Sequence, residues 1–309
     1  MGNKVAFVFP GQGSQSVGMG RAIHDANAAA RAVFEEADAA LGEALSTLCF
    51  EGPAEDLALT ANTQPAVVTT SIALLRALGE TPDVAAGHSL GEYSAHVAAG
   101  TFSFADAVRV VRARGTFMQE AVPVGEGAMA AVLKARTEDI EEVCARAEGV
   151  VEAVNYNSPG QVVIAGARDA VERAGVALEE KGARVIPLPV SAPFHSSLMK
   201  PAEERLAPLL AELPFTDPSV PIYVNVDAAP VTEAEAARQA LVRQVSRPVR
   251  WEESVRRMVD DGVALFVEIG PGKVLCGLIR RITKGVSCLS VTGPGDLEPA
   301  RAAIAEARG

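Results

Sequence analysis

Val84-Ala85-Ala86-Gly87-His88-Ser89-Leu90-Gly91 is a short apolar run that breaks on a glycine, presents a serine and closes on a second glycine. The Ala-rich stretch behind it, ending near Gly100, has helical spacing, so the segment reads as strand, sharp turn and helix. Residues 87–91 match G-x-S-x-G. A turn this tight forces the serine into a strained conformation that pushes its hydroxyl outward, and a side chain at position 87 or 91 would strike neighbouring backbone. The plainer alternative is a glycine-punctuated helix start with Ser89 as its N-cap.

Working outward, Val5-Ala6-Phe7-Val8-Phe9 before Pro10-Gly11 is a continuous apolar run, the pattern of a strand buried on both faces of a parallel sheet. Ile222-Tyr223-Val224 and Ala264 to Ile269 repeat it. Between these runs, Ala66 to Leu78, Phe104 to Ala121 and Thr232 to Val242 have helical period and are bounded by Gly or Pro. The alternation predicts an α/β fold with helices on both sheet faces. Residues 125–189 follow a different order: strand Ala128 to Leu133, helix Glu138 to Ala147, strand Val151 to Asn155, strand Gln161 to Ala165, helix Asp169 to Lys181, strand Arg184 to Leu188. That is β-α-β-β-α-β, the ferredoxin-like unit, with Pro159-Gly160 as the turn between its middle strands. The expected organisation is a large α/β domain, 1–124 with 190–309, interrupted by a small subdomain, 125–189. The crevice between them is the default ligand site.

The chain has 309 residues, 49% hydrophobic, with 28 Lys and Arg against 39 Asp and Glu, a net charge of −11. No global positive field exists to hold a phosphate backbone, which argues against nucleic acid as a partner. Charged or polar residues interrupt every apolar stretch short of a membrane span, and Met1-Gly2 has Ala6 where a myristoylation signal wants Ser or Thr. Cys49, Cys144, Cys276 and Cys288 have no C-x-x-C or metal spacing and read as reduced thiols of a cytoplasmic protein. Nothing such as a heptad repeat suggests more than a monomer.

Ser89 needs a base, and the chain offers only His24, His88, His96 and His195. His88 is adjacent on the turn and should point elsewhere. His96 lies seven residues along the same helix, roughly 10 Å away by the helical rise, and His24 sits in an amphipathic stretch that looks like surface. His195, in Val190-Ser191-Ala192-Pro193-Phe194-His195-Ser196, falls where the chain returns to the large domain, and is the expected base. The alternative is a structural histidine in a Pro-rich loop. Acyl chemistry would also need N–H donors for the oxyanion: Leu90 at the helix start supplies one, and the Pro10-Gly11-Gln12-Gly13-Ser14-Gln15 turn a second. That turn has Ser16 where a dinucleotide fingerprint needs its third glycine. Gly270-Pro271-Gly272-Lys273 likewise fails the P-loop, with Val267 and Val274 at required positions. Arg114 lies within the apolar stripe Ala107, Val108, Val111 and Met118, while Arg109 and Arg112 lie off it. A permanent cation facing inward wants an anion, and its fork suits a carboxylate. A distant ion pair or snorkelling is the alternative.

Gly11-Gln12-Gly13-Ser14-Gln15, Gly87-His88-Ser89-Leu90-Gly91, Arg114 and Phe194-His195 together closely resemble the malonyl-CoA:acyl-carrier-protein transacylases. Thr63-Gln64-Pro65-Ala66, Asn155-Tyr156-Asn157-Ser158-Pro159-Gly160-Gln161, and Leu241 to Gln244 with Pro248-Val249 and Trp251 extend the resemblance over nearly the whole chain. It implies a hydrolase-like core with parallel sheet and a ferredoxin-like insert, Ser89 as the acylated residue, His195 as its base, and Arg114 holding the malonyl carboxylate. It also implies Gln12 and Leu90 as oxyanion donors, Gln64 among the substrate-binding residues, and Gln244 orienting His195 through its backbone carbonyl. Leu90 and Phe194 look like the malonyl-selective pattern. The implied partners are malonyl-CoA and a phosphopantetheinylated acyl carrier protein, with no cofactor and no metal. Lys273, Arg280, Arg281 and Lys284, a segment with no acid among them, offer a patch for an acidic carrier or are simply a solvated helix end. The rival readings are a serine esterase or thioesterase on the same turn and a catalytically silent scaffold that docks a carrier protein.

Overall fold

A computed structural model describes residues 3–190 and 192–309. Met1, Gly2 and Ser191 lie outside the described residues, and with them the lipidation reading at Met1-Gly2 and the contribution of Ser191 to the returning loop. Among the described residues ten strands, in chain order β1 (Lys4–Phe9), β2 (Val84–Gly87), β3 (Gly127–Leu133), β4 (Val151–Ser158), β5 (Gln161–Ala167), β6 (Arg184–Pro187), β7 (Ile222–Val224), β8 (Ala229–Val231), β9 (Val263–Ile269) and β10 (Ser287–Val291), form two sheets. One has the order β10-β9-β1-β2-β7-β8, parallel except for the β7–β8 pair. The other, β4-β5-β3-β6, is antiparallel throughout.

β1 shows why the first sheet is buried on both sides. Val5, Phe7 and Phe9 join one apolar cluster, with the helices Thr60–Leu78 and Phe104–Glu120. Ala6 and Val8 join the opposite one, with Trp251–Asp260 and Val274–Ile282. All five residues are fully buried, as the two-residue period of a strand between helix layers requires. The sheet has six strands where four apolar runs were expected. β10 reads Ser-Cys-Leu-Ser-Val, half polar, and β8 carries Pro230 on the sheet edge, where a missing N–H is tolerated. The helix predicted from Ala66 begins at Thr60, so Pro65 lies inside it.

In the antiparallel sheet one face packs on the helices Thr137–Arg146 and Arg168–Glu180. The other, Met129, Val154, Val163 and Ala165, looks toward Leu188, Val190 and Phe194. β4 ties it to the rest of the chain: Tyr156 N–H donates to Val249 O at 2.9 Å and Val249 N–H to Val154 O at 2.8 Å. The expectation of four reduced thiols is corrected for Cys276 and Cys288, which form a disulfide. The helix Val274–Ile282 folds back beside β10 and brings their Cα atoms to 5.6 Å, within bridging range. A twelve-residue separation without a motif carries no sign of this. Cys49 and Cys144 are free and buried. No helix among the described residues is long and apolar enough to cross a membrane.

Candidate active site

The parallel strands β1 and β2 are neighbours, and open α/β sheets place ligands at the carboxyl ends of such strands. Ser89 follows β2 with φ 51°, in the left-handed region that non-glycine residues avoid. The turn leaves no room for side chains: a Cβ at Gly87 would lie 1.9 Å from the Gly91 carbonyl carbon, and one at Gly91 would lie 2.0 Å from Phe9 O. Ser89 Oγ is 2.7 Å from His195 Nε2, and His195 Nδ1 is 2.8 Å from the Gln244 carbonyl oxygen. A carbonyl only accepts, so the ring proton sits on Nδ1 and Nε2 presents its lone pair to the hydroxyl. Burial, then the nearby Arg114 charge, pushes the His195 pKa down to about 3, keeping the ring neutral.

Arg114 is 1% exposed on the helix Phe104–Glu120, which Ser103 caps through the Asp106 N–H. Its Nη1 donates to Gln64 Oε1 at 2.8 Å, and its Nη2 to Gln244 Oε1 at 3.0 Å and to Ser89 Oγ at 3.4 Å. Among the described residues it has no salt bridge, and its Nε has no hydrogen-bond partner. Two neutral amide oxygens leave the buried guanidinium able to receive an anion. Gln12 donates through Nε2 to Thr60 Oγ1 at 3.3 Å. The backbone N–H groups of Gln12 and Leu90 take no partner among the described residues. Gln12, Gln64, Ser89, Leu90, Arg114 and His195 line one cavity of about 550 Å³, and Met129, Asn155, Leu188 and Val190 close it from the side of the antiparallel sheet.

The other histidines are engaged elsewhere. His88 Nε2 is 2.7 Å from Asn157 Oδ1, and His96 is buried and stacked on Phe102. The ring of His24, expected at the surface, packs against Phe34 and Phe50. Gly270-Pro271-Gly272-Lys273 is a strand-to-helix turn whose helix start is already occupied: the buried Glu268 carboxylate accepts from Leu275 N–H at 2.9 Å and Cys276 N–H at 2.8 Å, where a phosphate would otherwise sit. Arg280 and Arg281 are exposed and donate to Cys288 O and Gln161 Oε1. Sequence reasoning missed Asn225 and Glu92, both fully buried beneath the serine turn. It gave Gln244 only a carbonyl, whereas the Gln244 side chain also reaches Arg114 and Ser89 O. No group of His, Cys, Asp and Glu among the described residues could hold a metal ion.

A serine on a strained strand-to-helix turn, an imidazole at hydrogen-bond distance and two free N–H groups are the parts of an acyl-transfer site. The chain belongs to the family of acyl transferase domains, whose model matches residues 6–293. It is similar to the malonyl CoA-acyl carrier protein transacylases of Bacillus subtilis (50% identical, 96% of each chain covered) and Escherichia coli K12 (51% identical, 96% of this chain and 98% of the relative). The acyl carrier protein S-malonyltransferase of Vibrio cholerae superposes with a TM-score of 0.94 at 49% identity, covering 96% of this chain and 99% of the other. A solved complex described as a type II PKS acyl-carrier protein with its malonyl-transacylase also matches, with a TM-score of 0.94 at 46% identity over 96% and 98% of the two chains.

Proposed function

We propose that this protein transfers the malonyl group from malonyl-CoA to the phosphopantetheine thiol of an acyl carrier protein through a malonyl ester on Ser89, in fatty-acid or polyketide synthesis. Ser89 Oγ attacks the thioester carbonyl as His195 Nε2 takes its proton. The N–H groups of Gln12 and Leu90 hold the oxyanion, and collapse breaks the C–S bond, with His195 returning the proton to the departing CoA sulfur. The carrier thiol then gives its proton to His195 and attacks the ester carbonyl, and Ser89 leaves with the proton restored. Arg114, steadied by Gln64 and the Gln244 side chain, pairs with the free malonyl carboxylate, while the Gln244 carbonyl orients His195. The reading rests above all on one juxtaposition: a fully buried guanidinium with no salt bridge among the described residues, 3.4 Å from a hydroxyl that is itself 2.7 Å from a neutral imidazole.

The proposal includes the architecture. Residues 125–189 are a ferredoxin-like insert in a hydrolase-like core comprising 1–124 and 190–309, and the segment's strand order of second, third, first, fourth supports this. It also includes a cytoplasmic location, which suits a CoA-dependent step, and a docking patch for the acidic carrier at Lys273, Arg280, Arg281 and Lys284. Exposure to malonyl-CoA should add one malonyl group to Ser89 by intact mass, and holo carrier protein should discharge it. Fast CoA release without carrier would make the protein a hydrolase, and no adduct on Ser89 would sink the assignment.

A further inference from the structure

We propose that Asn225 is a positioning residue for this transfer, its side-chain amide bridging Gly87 O and Ser89 N–H, on either side of His88 in the turn that presents Ser89. The proposal builds on the acyl-transfer reading above. Asn225 directly follows β7, the neighbour of β2, and is fully buried. Its Nδ2 donates to Gly87 O at 2.7 Å, and its Oδ1 accepts the Ser89 N–H at 2.7 Å. Flipping the amide would set donor against donor and acceptor against acceptor, so this orientation is the one that satisfies both groups.

The clamp is itself pinned. Asn225 N–H donates to Glu92 Oε2 at 2.7 Å, and Asn225 O accepts from Arg250 N–H at 3.0 Å. Glu92 lies on the helix that begins at Gly91, so the helix launched by the turn reaches back to hold the residue that holds the turn. On the far side of Ser89, its carbonyl accepts from Gln244 Nε2 at 2.9 Å and from Glu92 N–H at 3.1 Å. With the N–H and C=O of Ser89 both taken, its positive φ cannot relax without breaking these hydrogen bonds. A trans peptide sets the Leu90 N–H opposite the Ser89 carbonyl. Fixing that carbonyl therefore aims the Leu90 N–H, while fixing Ser89 aims Oγ at His195. Asn225 does not line the cavity, so its loss should be felt in rate and not in substrate binding.

The test compares wild type with Asn225→Ala and the isosteric Asn225→Asp, which keeps the oxygen facing the Ser89 N–H and loses the donor to Gly87. Folding is checked by circular dichroism, malonyl transfer is resolved into kcat and KM, and Ser89 is titrated with phenylmethylsulfonyl fluoride, a probe with no carboxylate for Arg114. Expected for folded Asn225→Ala is a kcat about 10²-fold lower, KM within about threefold of wild type, and a comparable slowing of sulfonylation. Should the alanine variant not fold, the same split in Asn225→Asp decides. A folded variant with kcat and sulfonylation within threefold of wild type overturns the proposal, and so does a raised KM at unchanged kcat, which would make Asn225 a substrate contact. If wild type fails to transfer malonyl yet sulfonylation of Ser89 still depends on Asn225, the clamp stands and the malonyl reading falls.

Discussion

A serine hydroxyl is a weak nucleophile, and in the proposed reaction its proton passes to an imidazole that must be neutral when substrate arrives. Burial and the Arg114 charge lower the His195 pKa to about 3. The rate of Ser89 acylation should therefore hold as pH falls from 8 to about 5, where a solvent-exposed imidazole would already be mostly protonated. A rate that halves near pH 6.5 would contradict this environment. Arg114 bears on the same measurement and on specificity. In the proposed reading Arg114→Ala removes a two-point contact with the malonyl carboxylate worth roughly 2–4 kcal/mol, so malonyl kcat/KM should drop about 30- to 1000-fold while acetyl transfer is maintained. The acid limb should also move to higher pH once the neighbouring positive charge is gone. Equal losses for malonyl and acetyl substrates would remove Arg114 from carboxylate recognition.

The strand-to-helix turn at β2 works because its glycines let two backbones meet. A methyl group at Gly91 would lie 2.0 Å from Phe9 O on β1, an overlap that only a backbone shift relieves. Gly91→Ala should cost about 1–3 kcal/mol or more in urea unfolding and slow acylation of Ser89 as well. Gly277, inside the helix Val274–Ile282, meets nothing within 4 Å. Gly277→Ala should stabilise by roughly 0.5–1 kcal/mol with activity unchanged. Equal effects at the two sites would mean that helix propensity, not close approach, governs the turn. The G-x-S-x-G spacing made the glycine requirement legible. It could not disclose that Phe9 O is the atom met, since β1 and β2 become neighbours only when the sheet forms.

Across the molecule, buried ionisable groups tie stability to pH. His88, His96 and His195 are all lowered from 6.5 by burial first, the latter two to about 3, so each resists protonation in the folded state. Below pH 6.5 the unfolded chain binds protons that the native one refuses, and stability falls as pH drops from 6.5 toward 3. Glu92, raised by burial from 4.5 to about 7, acts in the opposite sense: its contribution is greatest below 4.5 and is lost as pH rises through 7. Glu268, also raised by burial, acts in the same sense as Glu92, and three imidazoles outweigh these two carboxyls in the shared window from 4.5 to 6.5. Calorimetry should thus find Tm falling as pH goes from 6.5 to 5, and His96→Phe, which preserves an aromatic against Phe102, should flatten that slope. A Tm that rises on acidification would show the buried carboxyls of Glu92 and Glu268 dominating. At this scale the cavity is a product of both sheets, lined by Ser89, Arg114 and His195 from the parallel side and by Met129, Asn155 and Leu188 from the antiparallel one.

By itself the sequence determined the α/β alternation, the serine turn and the β-α-β-β-α-β order of 125–189, because periodicity, glycine placement and motif spacing are local properties of the chain; it offered Ser89, His195 and Arg114 as candidates, and Gln64 and Gln244 only through the family resemblance. Only the tertiary structure decided which groups touch. It set His195 and Gln244 beside Ser89 from 106 and 155 positions away, placed Asn225 and Glu92 beneath the turn, and joined Cys276 to Cys288. Such contacts arise where the ends of strands far apart in the chain are packed together, and no local spacing encodes that distance.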